Sequence, residues 1–400
     1  MKIVIAPDSF KGSLTALQVA RIIKEELIKE IPDVQVEMNP MADGGEGTLE
    51  TLVFATKGER IPIVSSGPFM EQVSTEFGIL GDGKTVVIEI AAISGLPMVP
   101  IEKRDPLYTS TYGIGEVILN VAKDGYREFI ICLGGSSTND GGLGMLQALG
   151  VQFLDENNEE VPPLGESIFK VNKVNFATLN PIIHDCRFTI ASDVDSPLCG
   201  KNGATYIFGP QKGVKEEYMK AYDQAMHRYA RLIENHLDID VQKNRGAGAA
   251  GGLGFAFLLL NTKIESGSRL IAEVTNLKNK MKDANFIITG EGQSDFQTMF
   301  GKVPSFVAKL ANEADVKIIL LSGSLGKGYE GLYDHFMSCH SITTGPMTLE
   351  ECMENAETLL ANEARNITRF LKVISEEGAK QVTADHIQRS VRSPTEVFGV

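Results

Sequence analysis

Residues 129–144 read Phe129-Ile130-Ile131-Cys132-Leu133-Gly134-Gly135-Ser136-Ser137-Thr138-Asn139-Asp140-Gly141-Gly142-Leu143-Gly144. An apolar run of strand length meets a loop of glycines, hydroxyls, an amide and a carboxylate. Met145-Leu146-Gln147-Ala148-Leu149 follows at helical spacing. A strand that opens through a Gly-rich loop into a helix gathers several backbone N–H groups around one point, a geometry that suits an anion such as phosphate. The same residues also make a tight strand-to-helix turn with no ligand. What favours the ligand is that similar loops occur elsewhere in the chain.

The first lies at the start. Lys2 to Ala6 reads as a buried parallel strand, and Pro7-Asp8-Ser9-Phe10-Lys11-Gly12-Ser13 ends it. Thr15 and Gln18 form a capping-box pattern ahead of an apolar face at Leu17, Ala20, Ile23, Leu27 and Ile31. Polar loops at the carboxyl ends of strands are where open α/β sheets bind ligands. The second follows a strand over residues 34–38: Asp43-Gly44-Gly45-Glu46-Gly47-Thr48 leads into a helix from Leu49. Two carboxylates three residues apart around glycines suit Mg²⁺ or acid–base work, and equally serve as helix N-terminal charges. Further on, Ser192-Asp193-Val194-Asp195 ends a strand over 188–191, in an arrangement common both near metals and in turns. The rhythm returns with strand 286–289 and Gly290-Glu291-Gly292-Gln293-Ser294-Asp295, a helix introduced by Gly301-Lys302-Val303-Pro304, and a strand over 317–321. Cys339 to Ile342 reads as a last strand, and Thr348 with Glu351 caps a helix running to about Leu371.

The chain has 400 residues, 43% of them apolar, which suggests two domains. Both ends share the strand–loop–helix style, while residues from 61 onward begin with short strands and hairpins. The expected architecture is α/β: a doubly wound domain from residues 1–60 and 283–375, a second α/β domain with a mixed sheet inserted at 61–282, and a polar, frayed tail at 376–400. A net charge of −14 argues against nucleic-acid and acidic-membrane partners, since phosphate-backbone binding needs a basic face. No apolar run approaches a membrane span, and the opening residues read as a strand rather than a signal peptide, so a cytoplasmic location is expected. Cys132, Cys186, Cys199, Cys339 and Cys352 have no metal-ligand spacing and read as buried reduced thiols. Two motif matches mislead. Gly78-Ile79-Leu80-Gly81-Asp82-Gly83-Lys84-Thr85 satisfies the P-loop pattern, but β-rich sequence follows where a helix is required, so it reads as a hairpin. Gly246-Ala247-Gly248-Ala249-Ala250-Gly251 matches a dinucleotide fingerprint, yet no strand precedes it.

These segments taken together resemble the bacterial type I glycerate kinase family. The matching residues are 6–14, 42–48, Glu102-Lys103-Arg104-Asp105-Pro106, 134–142, Phe208-Gly209-Pro210-Gln211-Lys212-Gly213, 246–252 and Thr289-Gly290-Glu291-Gly292, in order along residues 1 to 370. The resemblance implies a flavodoxin-like domain built from both chain ends, with an α/β domain inserted. It implies ATP-dependent phosphorylation of D-glycerate at O2 with Mg²⁺, by in-line transfer in an interdomain cleft. Three positions depart from the family pattern: Gln293 stands where Arg is usual, Asp193-Val194-Asp195-Ser196-Pro197 replaces Asp-Val-Thr-Asn-Pro, and Ile114 stands where Thr is common.

Phosphoryl transfer needs charge neutralisation and positioning more than covalent help. The expected catalytic residues are therefore Lys11, Asp43, Glu46, Asp193 and Asp295. Expected substrate and phosphate contacts are Asp8, Ser9, Gly44, Gly45, Arg104, Gly134, Gly135, Ser136, Thr138, Asn139, Asp140, Glu291 and Lys302, with Asp193 and Glu291 as Mg²⁺ ligands. Two other classes stay open: an NAD(P)-dependent oxidoreductase of a small hydroxy acid using residues 246–251, and a non-catalytic sensor of such acids whose loops bind but do not transfer. The hairpin reading makes a direct prediction. Lys84→Ala leaves the KM for ATP within roughly twofold, because an exposed hairpin lysine contributes little to binding; a large loss of ATP affinity would restore the P-loop reading.

Overall fold

Thr15 opens the first helix, Ala16–Glu30, with both halves of a capping box: its side chain accepts from the Gln18 N–H, and Gln18 reaches back to the Thr15 N–H. The apolar stripe of this helix lies on a parallel sheet. The computed structural model describes residues 1–391 apart from Asn261, with side-chain surroundings to residue 374. The chain divides into two compact units, Met1–Pro40 together with the chain from Lys278, and Met41–Leu277.

In the first unit, five strands form an all-parallel sheet in the order Ser338–Ser341, Lys317–Ser322, Phe286–Thr289, Lys2–Ile5, Gln35–Met38. Side chains alternate across it. Ile3, Ile5, Phe286, Ile288, Ile319 and Leu321 join Val19, Ile23, Leu27, Leu360, Ile367 and Leu371 in one core. That core is shared with the helices Ala16–Glu30 and Ala356–Val391, which pack together. Val4, Ile287, Ile318 and Leu320, of opposite parity, are also buried, and the helix Val303–Glu313 packs on the two strands that follow residue 285. Both faces are thus covered, as parallel sheets require. From Lys2–Ile5 the chain passes to Gln35–Met38 on one side, and the later strand Phe286–Thr289 adds on the other. The loops after Lys2–Ile5 and Phe286–Thr289 therefore flank the point where strand order reverses.

In the second unit, the order is Lys263–Glu265, Arg187–Ala191, Glu128–Cys132, Thr85–Glu89, Gln72–Ile79, Glu59–Ser66. The first four are mutually parallel and the last two form antiparallel pairs, including the hairpin across Asp82-Gly83. A single core gathers Val86, Ile88, Ile131, Ile190 and Phe129 with Val117, Ile118, Tyr229, Phe255 and Phe257.

Three expectations need correction. Residues 41–60 belong to the second unit, since the helix Thr48–Thr56 packs on Gln72–Ile79 and Thr85–Glu89, and Glu59–Ser66 pairs with Gln72–Ile79. The boundaries thus fall at 40/41 and 277/278 rather than at 60/61 and 282/283. The helix capped by Thr348 and Glu351 stops at Glu354, and a second helix, Ala356–Val391, continues past residue 375. Glu, Ala, Lys and Gln in that stretch are good helix formers, which explains why it is not frayed from 376; residues 392–400 lie outside the described chain. The thiols are free, but only Cys132 and Cys186 are buried, the other three being half-buried.

Gly290 tests the sheet. A methyl group there would sit 1.7 Å from the Leu321 carbonyl oxygen. Gly290→Ala is expected to cost about 1–3 kcal/mol, as overpacked positions do, read as a lowered urea midpoint.

Candidate active site

The reversal point of the parallel sheet carries the first group of polar residues. Asp8 donates its N–H to the Gly290 carbonyl at 2.8 Å, and the Thr289 hydroxyl donates to the Ala6 carbonyl at 2.7 Å, so the two loops are tied side by side. Asp8 is buried, and its Oδ1 accepts the Ser9 N–H at 2.7 Å. Lys11 is exposed on the same loop. Glu291 is buried and fully engaged: Oε1 accepts the hydroxyls of Ser294 at 3.1 Å and Thr298 at 2.7 Å, and Oε2 lies 3.2 Å from Lys302 Nζ. Two expectations are affected here. Both Glu291 oxygens are already engaged, one of them by the Lys302 ammonium, which counts against its expected role as a Mg²⁺ ligand. Asp295 is the N-cap of the turn Phe296–Met299, its Oδ1 accepting the Gln297 N–H at 2.8 Å, so one of its carboxylate oxygens holds the loop in shape. Gln293, at the family's Arg position, is exposed.

The second unit brings three loops to the carboxyl ends of its parallel strands. Gly134 donates its N–H to the Gly44 carbonyl at 3.2 Å, and a methyl on Gly134 would lie 2.3 Å from the Gly45 Cα. The loops at 43–47 and 134–142 therefore pass at backbone distance, which only glycine permits. Asp43 Oδ1 accepts the Gly45 N–H at 2.9 Å. Asp193 Oδ1 accepts the Gly267 N–H at 3.1 Å, at the start of the helix Gly267–Val274. Although Asp193 keeps a solvent-facing edge, the protein packed about its carboxylate raises its carboxyl above the ordinary value, and the nearby Asp43 charge adds to the rise. So Asp43 and Asp193, distant in sequence, are brought together. Glu46 is exposed on the same loop as Asp43.

The loop at 134–142 divides in two. Gly135 is exposed and Gly134 half-exposed, whereas Ser136 is buried, and Thr138, Asn139 and Asp140 are wholly enclosed. Asp140 accepts four hydrogen bonds, from the Thr111 N–H and hydroxyl and the N–H groups of Gly142 and Gly144, at 2.6–3.2 Å. Asn139 donates to Thr205 Oγ1 at 3.0 Å. All three side chains are enclosed rather than open to a ligand: Asp140 and the Asn139 amide nitrogen brace the loop from beneath, while Thr138 Oγ1 and Asn139 Oδ1 are buried without a hydrogen-bond partner. Arg104 is half-buried, its guanidinium near the carbonyls of Val99 and Gln211 at 3.4 Å. The glycines at 246–252 explain the false fingerprint. Gly251 accepts the Gly141 N–H at 3.0 Å, so this run packs against the 134–142 loop, and no strand precedes it. The oxidoreductase reading loses its support. Asp195 pairs with Arg245 on the surface.

Two residues escaped the sequence reading. Lys212 is enclosed and donates to Ser136 Oγ at 2.7 Å and the Thr138 carbonyl at 2.6 Å. Glu89, at the end of its strand, accepts the Gly47 N–H on Oε1 and the Leu49 N–H on Oε2, both at 3.1 Å, capping the helix Thr48–Thr56 beneath the Asp43 loop. A charged residue at a strand's last position was the available signal for Glu89; for Lys212 it was the motif around it.

Comparison with known proteins identifies the family. A model of the glycerate kinase family matches residues 3–372. The chain belongs to the glycerate kinase family. It is 43% identical to a glycerate kinase of Halalkalibacterium halodurans over 91% of this chain and 97% of that one. It is 42% identical to the glycerate 2-kinase of Escherichia coli K12, over 93% and 98%. A crystal structure from Salmonella typhimurium LT2, described as a candidate glycerate kinase 2, superposes with a TM-score of 0.83 at 38% identity, covering 94% of this chain and 99% of that one. Family membership makes the chain a kinase. Among the described residues no helix is long and apolar enough to cross a membrane, and no group of three or more His, Cys, Asp or Glu could hold a metal unaided.

Glu89 yields a pH prediction. Burial is the largest influence on its carboxyl and, opposed by the two N–H groups, raises it from 4.5 to about 7. The folded protein then holds a proton that the unfolded chain has lost, so stability falls as pH rises from about 4.5 to about 7 and levels off above. Glu89→Gln removes that fall, on the order of 3 kcal/mol. Urea unfolding of both proteins at pH 5 and pH 8 measures it; equal pH slopes would mean the carboxyl is not shifted.

Proposed function

We propose that the protein phosphorylates D-glycerate at O2 with ATP and Mg²⁺, giving 2-phospho-D-glycerate. The choice of O2 follows the relative named a glycerate 2-kinase. The observation that carries the reading is the convergence of Asp43 and Asp193 where the glycine loops at 43–47 and 134–142 pass at backbone distance. Mg²⁺ is typically held by one or two carboxylates plus substrate phosphates and waters, and Asp43 with Asp193 fit that habit. When bound, the ion neutralises charge on the transferring phosphoryl group.

The residues of the chain then have these roles. The backbone at Gly44 and Gly135 faces the anion, Gly45 and Gly134 shaping the two loops through their bonds to Asp43 and the Gly44 carbonyl, and Ser136 lies at the edge of that nest. Glu46, the exposed carboxylate of the Asp43 loop, takes the hydroxyl proton of glycerate. As the hydroxyl oxygen bonds to the γ-phosphorus, the bond to the β,γ-bridging oxygen breaks and ADP leaves. Lys11, with Asp8 and Ser9 beside it, offers a cation at the reversal point of the parallel sheet, where α/β sheets bind ligands. Lys302 is partly neutralised by Glu291 and contributes less. The first unit, with strand order second, first, third, fourth, fifth, is read as a flavodoxin-like doubly wound domain, and residues 41–277 as the inserted α/β domain.

ADP release with D-glycerate, coupled to a NADH readout, tests the reaction, and NMR of the product decides O2 against O3. Asp43→Asn or Glu46→Gln is expected to lower kcat by about two orders of magnitude or more with folding unchanged. If both keep near-normal turnover, these groups are only helix-end charges. Lys11→Met, which keeps the apolar stem, is expected to cost about ten- to a hundredfold in kcat/KM for one substrate, since charge-assisted hydrogen bonds to an anion are worth ~1.5–3 kcal/mol. Wild-type kinetics toward both substrates would make Lys11 a surface residue.

A further inference from the structure

Lysine is almost never enclosed in protein unless it is paired. Lys212 is 2% exposed, at the end of the short turn Pro210–Lys212. No carboxylate is hydrogen-bonded to it; its ammonium donates to Ser136 Oγ and to the Thr138 carbonyl. Taking an ammonium out of water costs several kcal/mol, and an apolar side chain of similar volume is often as stable or more so. Packing alone therefore does not account for a lysine here. The two groups it grips are alternate residues of the loop whose exposed end, at Gly135, is proposed above to face the anion.

We infer that Lys212 is a positioning residue of the phosphoryl-transfer site: its ammonium clamps Ser136 and Thr138 and so fixes the anion-binding end of the 134–142 loop. This rests on the kinase reading given above. The clamp has a directional consequence. A hydroxyl has one proton and two lone pairs. With Ser136 Oγ accepting from Lys212, the hydroxyl proton is turned away from the ammonium and is left to donate to an anion. The same turn anchors Arg104, whose Nη1 approaches the Gln211 carbonyl at 3.4 Å, so the segments 102–106 and 208–213 are held to one loop.

The charged and titratable neighbours set how the clamp responds to pH. Burial lowers the Lys212 ammonium from 10.5 to about 7, and the Asp140 carboxylate opposes that fall. Tyr222 and Tyr229, buried about Asp140, are pushed well above their ordinary range and stay protonated. As pH rises above about 7 the ammonium is lost, and two charge-assisted bonds become ordinary ones, roughly half as strong.

The test uses the full chain, with ATP and D-glycerate varied separately between pH 7 and pH 9, and a thermal melt for each variant. In the wild type, KM for one of the two anions is expected to rise about tenfold across that range. Lys212→Met is expected to raise that KM about tenfold or more at pH 7, to remove its pH dependence, and to leave the other KM within twofold. Lys212→Arg, which cannot lose its proton, is expected to keep part of the affinity without the alkaline loss. A wild-type enzyme whose two KM values stay flat from pH 7 to 9 overturns the inference, even if no variant folds. So does a folded Lys212→Met with wild-type KM values and pH profile. Absence of any glycerate-dependent ADP release in the wild type would instead overturn the kinase reading.

Discussion

The second unit depends on one close approach, the passage of Gly134 against Gly45. A side chain at Gly134 would have to occupy the space of the Gly45 Cα, 2.3 Å away. That contact lets two loops from different strand ends share one small volume. It brings Asp43 within electrostatic reach of Asp193. Buried charge beneath the touching backbones is costly unless it is hydrogen-bonded. The four hydrogen bonds on Asp140 and the Glu89 cap are local answers to that demand.

The first unit works differently. Its parallel sheet has both faces covered, so the strand ends are left for polar contacts. The hydrogen bonds from Asp8 to Gly290 and from Thr289 to Ala6 make the two loops at the order reversal one structure. Glu291 spends both oxygens on that structure and on Lys302. A carboxylate so committed is a brace, which is why a sequence motif rich in acids contributes fewer reactive groups than its composition suggests.

Much of the fold was legible because its signals are local. Thr15 with Gln18 and Thr348 with Glu351 act as capping boxes where the pattern put them, and the β-rich run after Asp82-Gly83 is a hairpin strand. The helix break at Asn355 and the placement of residues 41–60 were not legible, because both are set by packing rather than by propensity. In the site, the sequence located the loops but not the direction of their side chains. Thr138, Asn139 and Asp140 share a motif with Gly134 and Gly135, yet the loop turns between them, and composition carries no sign of that turn. Glu89 and Lys212 were missed for the complementary reason. Each acts through residues forty or more positions away, and the local signals, a charge at a strand end and a short motif, do not name those partners.

The overall charge of −14 sharpens this point. An acidic protein that handles two anions cannot rely on its long-range field, which repels them. At physiological ionic strength that repulsion is screened beyond about 8 Å, so what governs binding is the potential within the nest itself. Backbone N–H groups give a positive potential without adding a mobile side chain, and they hold it only if the loop is rigid. Rigidity here comes from buried charge: Asp140 gathers N–H groups from below, Glu89 caps the neighbouring helix, and Lys212 grips the loop from the side. Each is costly to enclose and would be replaced by hydrocarbon if stability were the only demand. Their presence in one unit, all within hydrogen-bond reach of the two glycine loops, is most simply understood as the cost of fixed dipoles at a site that binds anions.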